Sequence, residues 1–276
     1  MRVSFVKLSP SENTTIIITE PEVKKEEYGK IATAAMAYSH LHGEQVGFLT
    51  PTQTAKAKGR MEMSGGEFCG NGLLALGAYV AWREAIEKER FSLEFSGVEK
   101  ALSCEVEKTS SVSYRVKGEM PVKEFRILQK EISVDNGSIT GDLVEMTGIT
   151  HFLFPIGDRE KSVIDFSLLL KNIEKEGENQ AYGALGYWER GGEIEMSPWV
   201  YVPGINSLRE ERSCGSGSLA LGLLWAKKRE KNIKETIRQP GGSIGVEIVY
   251  DREKKKVTSA SIETEVVITC EGKLFL

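Results

Sequence analysis

Hydrophobic and polar residues alternate with a period of two in several short stretches of this chain, and apolar residues recur at helical spacing in others. The alternation is typical of half-buried β-strands, and the helical spacing is typical of amphipathic helices. Strands are predicted at 15–19, 91–95, 113–116, 144–146, 152–154, 199–202, 246–250 and 259–264, and helices at 26–41, 73–83, 165–175 and 219–228. This mixture predicts an α+β fold.

A nine-residue segment occurs twice. CGNGLLALG at 69–77 returns as CGSGSLALG at 214–222, identical at seven of nine positions and offset by 145 residues, about half of the 276-residue chain. Each copy runs from a polar stretch into an apolar segment of helical length. The repeat therefore predicts two similar domains, each a curved sheet wrapped around a central helix, with the active site in the cleft between them.

Composition narrows the function classes. The net charge is −4, and no basic cluster suggests nucleic-acid binding. The chain has neither a signal-peptide-like start nor an apolar run of about 20 residues, so we expect a cytoplasmic protein without a membrane partner. Its four cysteines form no CxxC pair and no metal-ligand spacing. Free thiols are expected, with no metal and no cofactor.

The chemistry of the repeat lies in its two cysteines, Cys69 and Cys214. Each precedes a helix, whose first N–H groups lack partners and favour negative charge, either a thiolate or a bound carboxylate. Two such sites across a cleft could remove a proton from one face of an α-carbon and add one to the other. A single cysteine in this context is more often inert; the matched pair favours catalysis. Cys104 and Cys270 lack the context, and we interpret them as structural.

Both motifs resemble those of the diaminopimelate epimerase-like superfamily, racemases that work without pyridoxal phosphate. Pro240-Gly241-Gly242 matches a further family feature, and Asn13 stands on an Asn of a family turn. The resemblance implies that Cys69 and Cys214 are catalytic and that residues after Thr264 return to the first domain. The domains would then be 1–118 plus 264–276, and 119–263. It also implies that backbone N–H groups hold the substrate's α-carboxylate, at Gly70, Asn71, Gly215 and Ser216.

The chain departs from the epimerases where they bind the far end of their substrate. Their Glu-Arg pair is replaced by Ile205 and Asn206, and their Asn before a Pro-His pair by Ile149. Diaminopimelate is therefore a poor candidate substrate. Proline racemase signatures are also absent.

A closer resemblance is to the histidine racemases of bacterial opine-metallophore pathways, carried by the segments EQVGF at 44–48, MSGGEFCGN at 63–71 and QPGGSI at 239–244. It implies L- and D-histidine as substrates. Glu44 either holds the imidazole or α-ammonium group or caps a surface turn, and His151 either tunes a thiolate or is an ordinary buried histidine. The implied substrate-binding set is Asn13, Glu44, Gln45, Gly70, Asn71, His151, Asn206, Gly215 and Ser216.

Other functions remain open at this point. The alternatives are a diaminopimelate epimerase or broader basic-amino-acid racemase, a non-catalytic amino-acid-binding protein, and a thiol redox sensor. Glu67 and Glu211, just before the two motifs, could cap helices or touch substrate. A homodimer is compatible with the sequence.

Overall fold

The computed structural model describes residues 1–121, 124–135, 137–157, 164–205 and 207–276, and the expected α+β composition is confirmed. The helices are α1 (Lys25–Met36), α2 (Gly70–Arg83), α3 (Phe166–Glu174) and α4 (Gly215–Arg229). The strands are β1 (Arg2–Pro10), β2 (Thr15–Glu20), β3 (Gln45–Leu49), β4 (Ala57–Met63), β5 (Lys88–Phe95), β6 (Leu102–Lys108), β7 (Ser113–Met120), β8 (Arg126–Val134), β9 (Gly137–Met146), β10 (Ile149–Pro155), β11 (Ala181–Arg190), β12 (Glu193–Val202), β13 (Ser207–Glu210), β14 (Ile233–Gln239), β15 (Gly242–Asp251) and β16 (Lys256–Phe275). No helix within the described ranges is long and apolar enough to cross a membrane.

The backbone divides into two compact units, Met1–Pro121 with Ser261–Leu276, and Val122–Ala260. In the first unit the strand order is β1-β2-β3-β4-β5-β6-β7-β16, and β16 also pairs with β1, which closes the sheet into a barrel. Helix α2 contacts β1, β2, β4, β5, β6 and β7, so it is the central helix of this barrel. Most of its side chains are apolar and buried, as a helix enclosed on all sides requires.

Helix α1 packs on the opposite face of the same sheet. Its Tyr28 ring stacks on Phe48 of β3 with 3.8 Å between ring centroids. The helix was expected to continue to residue 41, but it ends at Met36. The Lys7 ammonium group binds the carbonyl oxygens of Leu41 and His42, and the Leu41 N–H donates to Ala35 O, so the chain turns although its apolar spacing continues.

The second unit repeats the plan of the first. Its strand order is β8-β9-β10-β11-β12-β14-β15, continued by the first residues of β16, and β13 pairs with β12. The parallel pairs β10–β11 and β12–β14 bracket α3 and α4, as the parallel pairs β2–β3 and β4–β5 bracket α1 and α2. Helix α4 contacts β9, β10, β14 and β15. The sequence repeat at 69–77 and 214–222 thus marks the same place in two similar units.

Two glycines of the repeat allow these central helices to approach their sheets. A Cβ atom on Gly77 would lie 2.5 Å from Cys104 Sγ, and one on Gly222 would lie 2.5 Å from Val246 Cγ1. Both distances are far below van der Waals contact, so any larger residue would push the helix away from the strands. Cys104 is fully buried against α2, which agrees with a structural role, whereas Cys270 is exposed on β16.

Candidate active site

Cys69 is the N-cap residue of α2. Its backbone is extended (φ −131°, ψ 118°), and its sulfur accepts a hydrogen bond from the Gly72 N–H at 3.3 Å. The Cys69 carbonyl accepts from the Leu73 N–H at 2.9 Å. The structure assigns no acceptor among the described residues to the N–H groups of Gly70 and Asn71, the first two of the helix. These two donors are available for an anion beside the thiol.

The Cys69 thiol is also bound to Gln45, the first residue of β3. Its sulfur lies 2.8 Å from Gln45 Oε1. Gln45 Nε2 donates in turn to Asn13 Oδ1 at 3.0 Å and to Thr15 Oγ1 at 2.8 Å. The structure thus brings three expected site residues, Cys69, Gln45 and Asn13, into one hydrogen-bonded group, together with Thr15, which sequence reasoning missed.

Cys214 begins α4 in the same way. Its backbone is extended (φ −124°, ψ 105°), its sulfur accepts from the Gly217 N–H at 3.4 Å, and its carbonyl accepts from the Ser218 N–H at 3.0 Å. Within the described parts of the chain, the N–H groups of Gly215 and Ser216 have no acceptor. Each unit therefore presents a cysteine sulfur beside two helix N–H groups that find no acceptor among the described residues.

The surroundings of the Cys214 sulfur differ from those of Cys69. Burial raises the pKa of the Cys214 thiol well above its usual value, and the Glu211 carboxylate raises the pKa further, by charge repulsion and by accepting a hydrogen bond. The Ser216 hydroxyl, 3.5 Å from the sulfur, and the Gly217 N–H act in the opposite direction. The contact of Glu211 with the thiol adds a third role to the two that the sequence left open, helix capping and contact with substrate.

His151, on β10, lies behind this first turn. Its Nε2 is 2.9 Å from Ser216 Oγ, and the ring is fully buried. Burial lowers the pKa of His151 to about 3, so the imidazole is neutral near pH 7. Gly183 leaves the space that the ring occupies, because a Cβ atom at this position would lie only 2.0 Å from His151 Nδ1.

A clamp formed by Gln239 fixes the chain at Cys214. Gln239 Oε1 accepts from the Cys214 N–H at 2.7 Å, and Gln239 Nε2 donates to Ser218 Oγ at 2.8 Å. The Ser218 hydroxyl donates to the Cys214 carbonyl at 2.9 Å. Sequence reasoning noted QPGGSI only as a resemblance. Its partner Cys214 lies 25 positions away along the chain, and no local pattern links the two residues.

The remaining expected site residues have the following surroundings. Glu44 is half-buried, and its N–H donates to the carbonyl and hydroxyl of Thr14. The Asn71 side chain is buried, and its Oδ1 has no hydrogen-bond partner within the described residues. Asn206 lies outside the described residues. Glu67, in front of the first motif, is exposed. No group of three or more His, Cys, Asp or Glu residues in the described ranges is arranged to hold a metal ion.

Comparisons with known proteins cover the whole chain. The family model described as "Histidine racemase CntK N-terminal domain" matches residues 2–275. A histidine racemase of Fusobacterium nucleatum subsp. nucleatum is 30% identical over 99% of this chain and 97% of its own length. A diaminopimelate epimerase of Bacillus subtilis is 25% identical over 99% and 98%. The crystal structure of a PhzF-family phenazine biosynthesis protein from Bacillus anthracis has the same fold, with a TM-score of 0.75 at 13% identity and full coverage of both chains.

Proposed function

The chain belongs to the family described as histidine racemase CntK N-terminal domain, and on that premise we propose that it interconverts L- and D-histidine through Cys69 and Cys214. As a member of this family it is an isomerase, an amino-acid racemase, and the resemblance expected from the sequence is confirmed. The observation that carries the two-cysteine proposal is the matched arrangement in the two units. At the start of its central helix, each unit offers a sulfur and two N–H groups that have no acceptor in the described part of the chain.

The proposed reaction is a proton transfer at Cα in a cleft between the two units. The thiolate of one cysteine takes the α-proton and becomes a thiol, and the electron pair of the broken C–H bond spreads into the carboxylate. The thiol of the other cysteine delivers its proton to the opposite face and becomes a thiolate. One C–H bond breaks and one forms, no electron acceptor is needed, and the two cysteines exchange roles.

The substrate carboxylate is proposed to bind the N–H groups of Gly70, Asn71, Gly215 and Ser216. Helix N-termini favour negative charge, and the charge on the carboxylate grows as the carbanion forms, so these donors stabilise the transition state more than the ground state. Glu44 and Asn206 are proposed to contact the remainder of the substrate. For His151 we propose an indirect role, because the ring is fully buried and its Nε2 is bound to Ser216.

The reaction needs only two thiols, each of which transfers one proton. We therefore propose that the protein uses no cofactor and in particular no pyridoxal phosphate. The same thiols must stay reduced to work, and none of the four cysteines forms a disulfide in the structure. We therefore propose that the protein acts in the cytoplasm, where thiols remain reduced.

We also propose a homodimer, which light scattering during gel filtration would distinguish from a monomer.

The experiment follows the α-proton of L-histidine by NMR in deuterated buffer with reductant, without pyridoxal phosphate, and with chiral chromatography of the product. We expect loss of the α-proton signal together with the appearance of D-histidine. Cys69→Ser and Cys214→Ser should each lower the rate by at least about 100-fold, a typical contribution of general acid–base catalysis. Cys270→Ser, at an exposed thiol, is the matched control and should leave the rate unchanged. If the α-proton of diaminopimelate or lysine exchanged and that of histidine did not, histidine would be excluded as the substrate. If no α-proton exchanged, the proposed racemisation would be refuted.

A further inference from the structure

The hydrogen bonds behind Cys69 form a compact group that includes Gln45, Asn13 and Thr15. Parallel pairing of β2 and β3 sets Thr15 opposite Gln45, which accounts for the 2.8 Å contact between their side chains. Asn13 is 5% exposed, and Thr15 is fully buried. The Gln45 amide is therefore held by buried partners on one side and faces the Cys69 sulfur on the other.

Each member of this group can both donate and accept hydrogen bonds. A side-chain amide carries a carbonyl and an NH₂ group, and a hydroxyl can serve in either role. In the structure the amide oxygen of Gln45 faces Cys69, which suits a thiol that donates its proton. If the Gln45 and Asn13 amides turn over together, Nε2 faces the sulfur instead. That arrangement suits a thiolate, which only accepts.

We infer that Gln45 is a positioning residue that provides Cys69 with a hydrogen-bond partner in both of its protonation states. The inference rests on the proposed function, in which Cys69 is a thiol in one half of the cycle and a thiolate in the other. Gln45 was expected from the sequence to bind substrate. Its contacts with Cys69, Asn13 and Thr15 give it a role behind the reacting sulfur instead.

The surroundings of Cys214 support this assignment by contrast. There the two roles are divided between two side chains, since the Glu211 carboxylate can only accept from a thiol and the Ser216 hydroxyl can donate to a thiolate. At Cys69 the side-chain amide of Gln45 can serve in both roles, beside the Gly72 N–H that donates to the same sulfur. A carboxylate in the place of Gln45 would keep the acceptor and lose the donor.

The test is therefore Gln45→Glu, which preserves the length and shape of the side chain. We expect kcat for histidine racemisation to fall about 10- to 100-fold, the value of one hydrogen bond to a charged group, with KM changed less than about 2-fold. Alkylation of Cys69 by iodoacetamide, followed by mass spectrometry, should require a higher pH in this variant. Gln129→Glu, the same change at an exposed glutamine of β8, is the control and should alter neither measurement. Glu44 and Glu67, the carboxylates closest to Gln45 and Cys69 in the sequence, are the same in all of these variants.

Other outcomes would overturn the inference. An increase in KM with kcat unchanged would make Gln45 a substrate ligand, and no change in kcat, KM or alkylation would leave it without a role. If Gln45→Glu does not fold, Thr15→Val removes one anchor of the amide, and it should lower kcat by a smaller factor in the same way. The alkylation measurement needs no turnover. A shift in Cys69 alkylation combined with no exchange of histidine by the unaltered protein would therefore refute the proposed function and not the hydrogen-bonded group.

Discussion

His151 Nε2 and Ser216 Oγ lie 2.9 Å apart, although 65 positions separate the two residues along the chain. The imidazole ring is fully buried, and its Nδ1 has no hydrogen-bond partner in the described part of the protein. Burial alone accounts for the lowered pKa of about 3. A ring that stays neutral near pH 7 supports the first turn of α4 through Ser216 and does not act as a charged group there.

The neutral state of His151 predicts a loss of stability in mild acid. An unfolded histidine gains a proton below about pH 6.5, whereas the folded ring resists protonation down to about pH 3. The unfolded state therefore binds more protons, and stability falls as the pH drops through this window. Between pH 6.5 and pH 5 the free energy of unfolding should fall by about 2 kcal/mol. Urea titrations at the two pH values measure it.

Two histidine variants separate His151 from other titrating groups. His151→Gln cannot gain a proton, so the difference between pH 6.5 and pH 5 should shrink by about 2 kcal/mol. His40→Gln, at an exposed histidine, should retain the full difference. An equal pH dependence in His151→Gln and in the unaltered protein would show that His151 does not account for the effect.

Replacing Glu211 should make Cys214 easier to ionise. The carboxylate raises the pKa of the Cys214 thiol, so Glu211→Gln should lower that pKa and let the thiolate form at lower pH. Ultraviolet absorbance of the thiolate follows the ionisation, with the double variant Glu211→Gln/Cys214→Ser subtracted to isolate Cys214. Glu189→Gln, at an exposed glutamate, serves as the control. A shift of the titration to higher pH would contradict the geometry.

The Gln239 clamp should be needed for stability. In Gln239→Met the buried Cys214 N–H and the Ser218 hydroxyl both lose a partner. An unsatisfied buried polar group costs about 1–3 kcal/mol, and we expect a loss of that size in the free energy of unfolding. Gln129→Met, at an exposed site, should change it by less than about 0.5 kcal/mol. Equal stability of the two variants would exclude the clamp.

The close approach of α2 to its sheet predicts a penalty for a single added methyl group. Gly77→Ala places a Cβ atom 2.5 Å from Cys104 Sγ, and overpacking of this kind costs about 1–3 kcal/mol. Gly29→Ala in α1 meets no atom within 4 Å and should instead stabilise the helix by about 0.5–1 kcal/mol. Chemical denaturation compares the two.

A second substitution tests the cause of that penalty. Cys104→Ala removes the sulfur that the new methyl group would meet, so the double variant Gly77→Ala/Cys104→Ala should be more stable than the two single effects predict by addition. Strict additivity would place the strain elsewhere, at Val116, whose Cγ1 would lie 3.0 Å from the added methyl group.

Local features of the fold and site were predictable from the sequence, because the information lies within a few residues. Each Cys-Gly-X-Gly segment contains both the sulfur and the N–H group that it accepts from, three positions later. Predicted strands such as 152–154 and 246–250 lie inside β10 and β15. In 246–250 the alternation matches burial, since Val246, Ile248 and Tyr250 are buried, whereas 152–154 is a short apolar run that is buried throughout.

Features that depend on distant partners were not predictable. Helix α1 ends at Met36, and the carbonyl groups of Leu41 and His42 in the turn that follows bind Lys7, 34 and 35 positions away along the chain. The clamp of Gln239 on Cys214 and the contact of His151 with Ser216 likewise join separate elements. Nothing in the local pattern of these residues indicates a partner, so only the folded structure identifies them.

The pairing of β1 with β16 has a consequence for the order in which this chain can fold during synthesis. Arg2 lies opposite Phe275 and Pro10 opposite Val266, with one register shift between Lys7 and Leu8. The barrel around α2 therefore cannot close until the last strand of the 276 residues has left the ribosome, whereas β8 to β15 are all made before it. The unit that is translated first is thus completed last. Until β16 has been made, β1 of the nascent barrel has an unpaired edge.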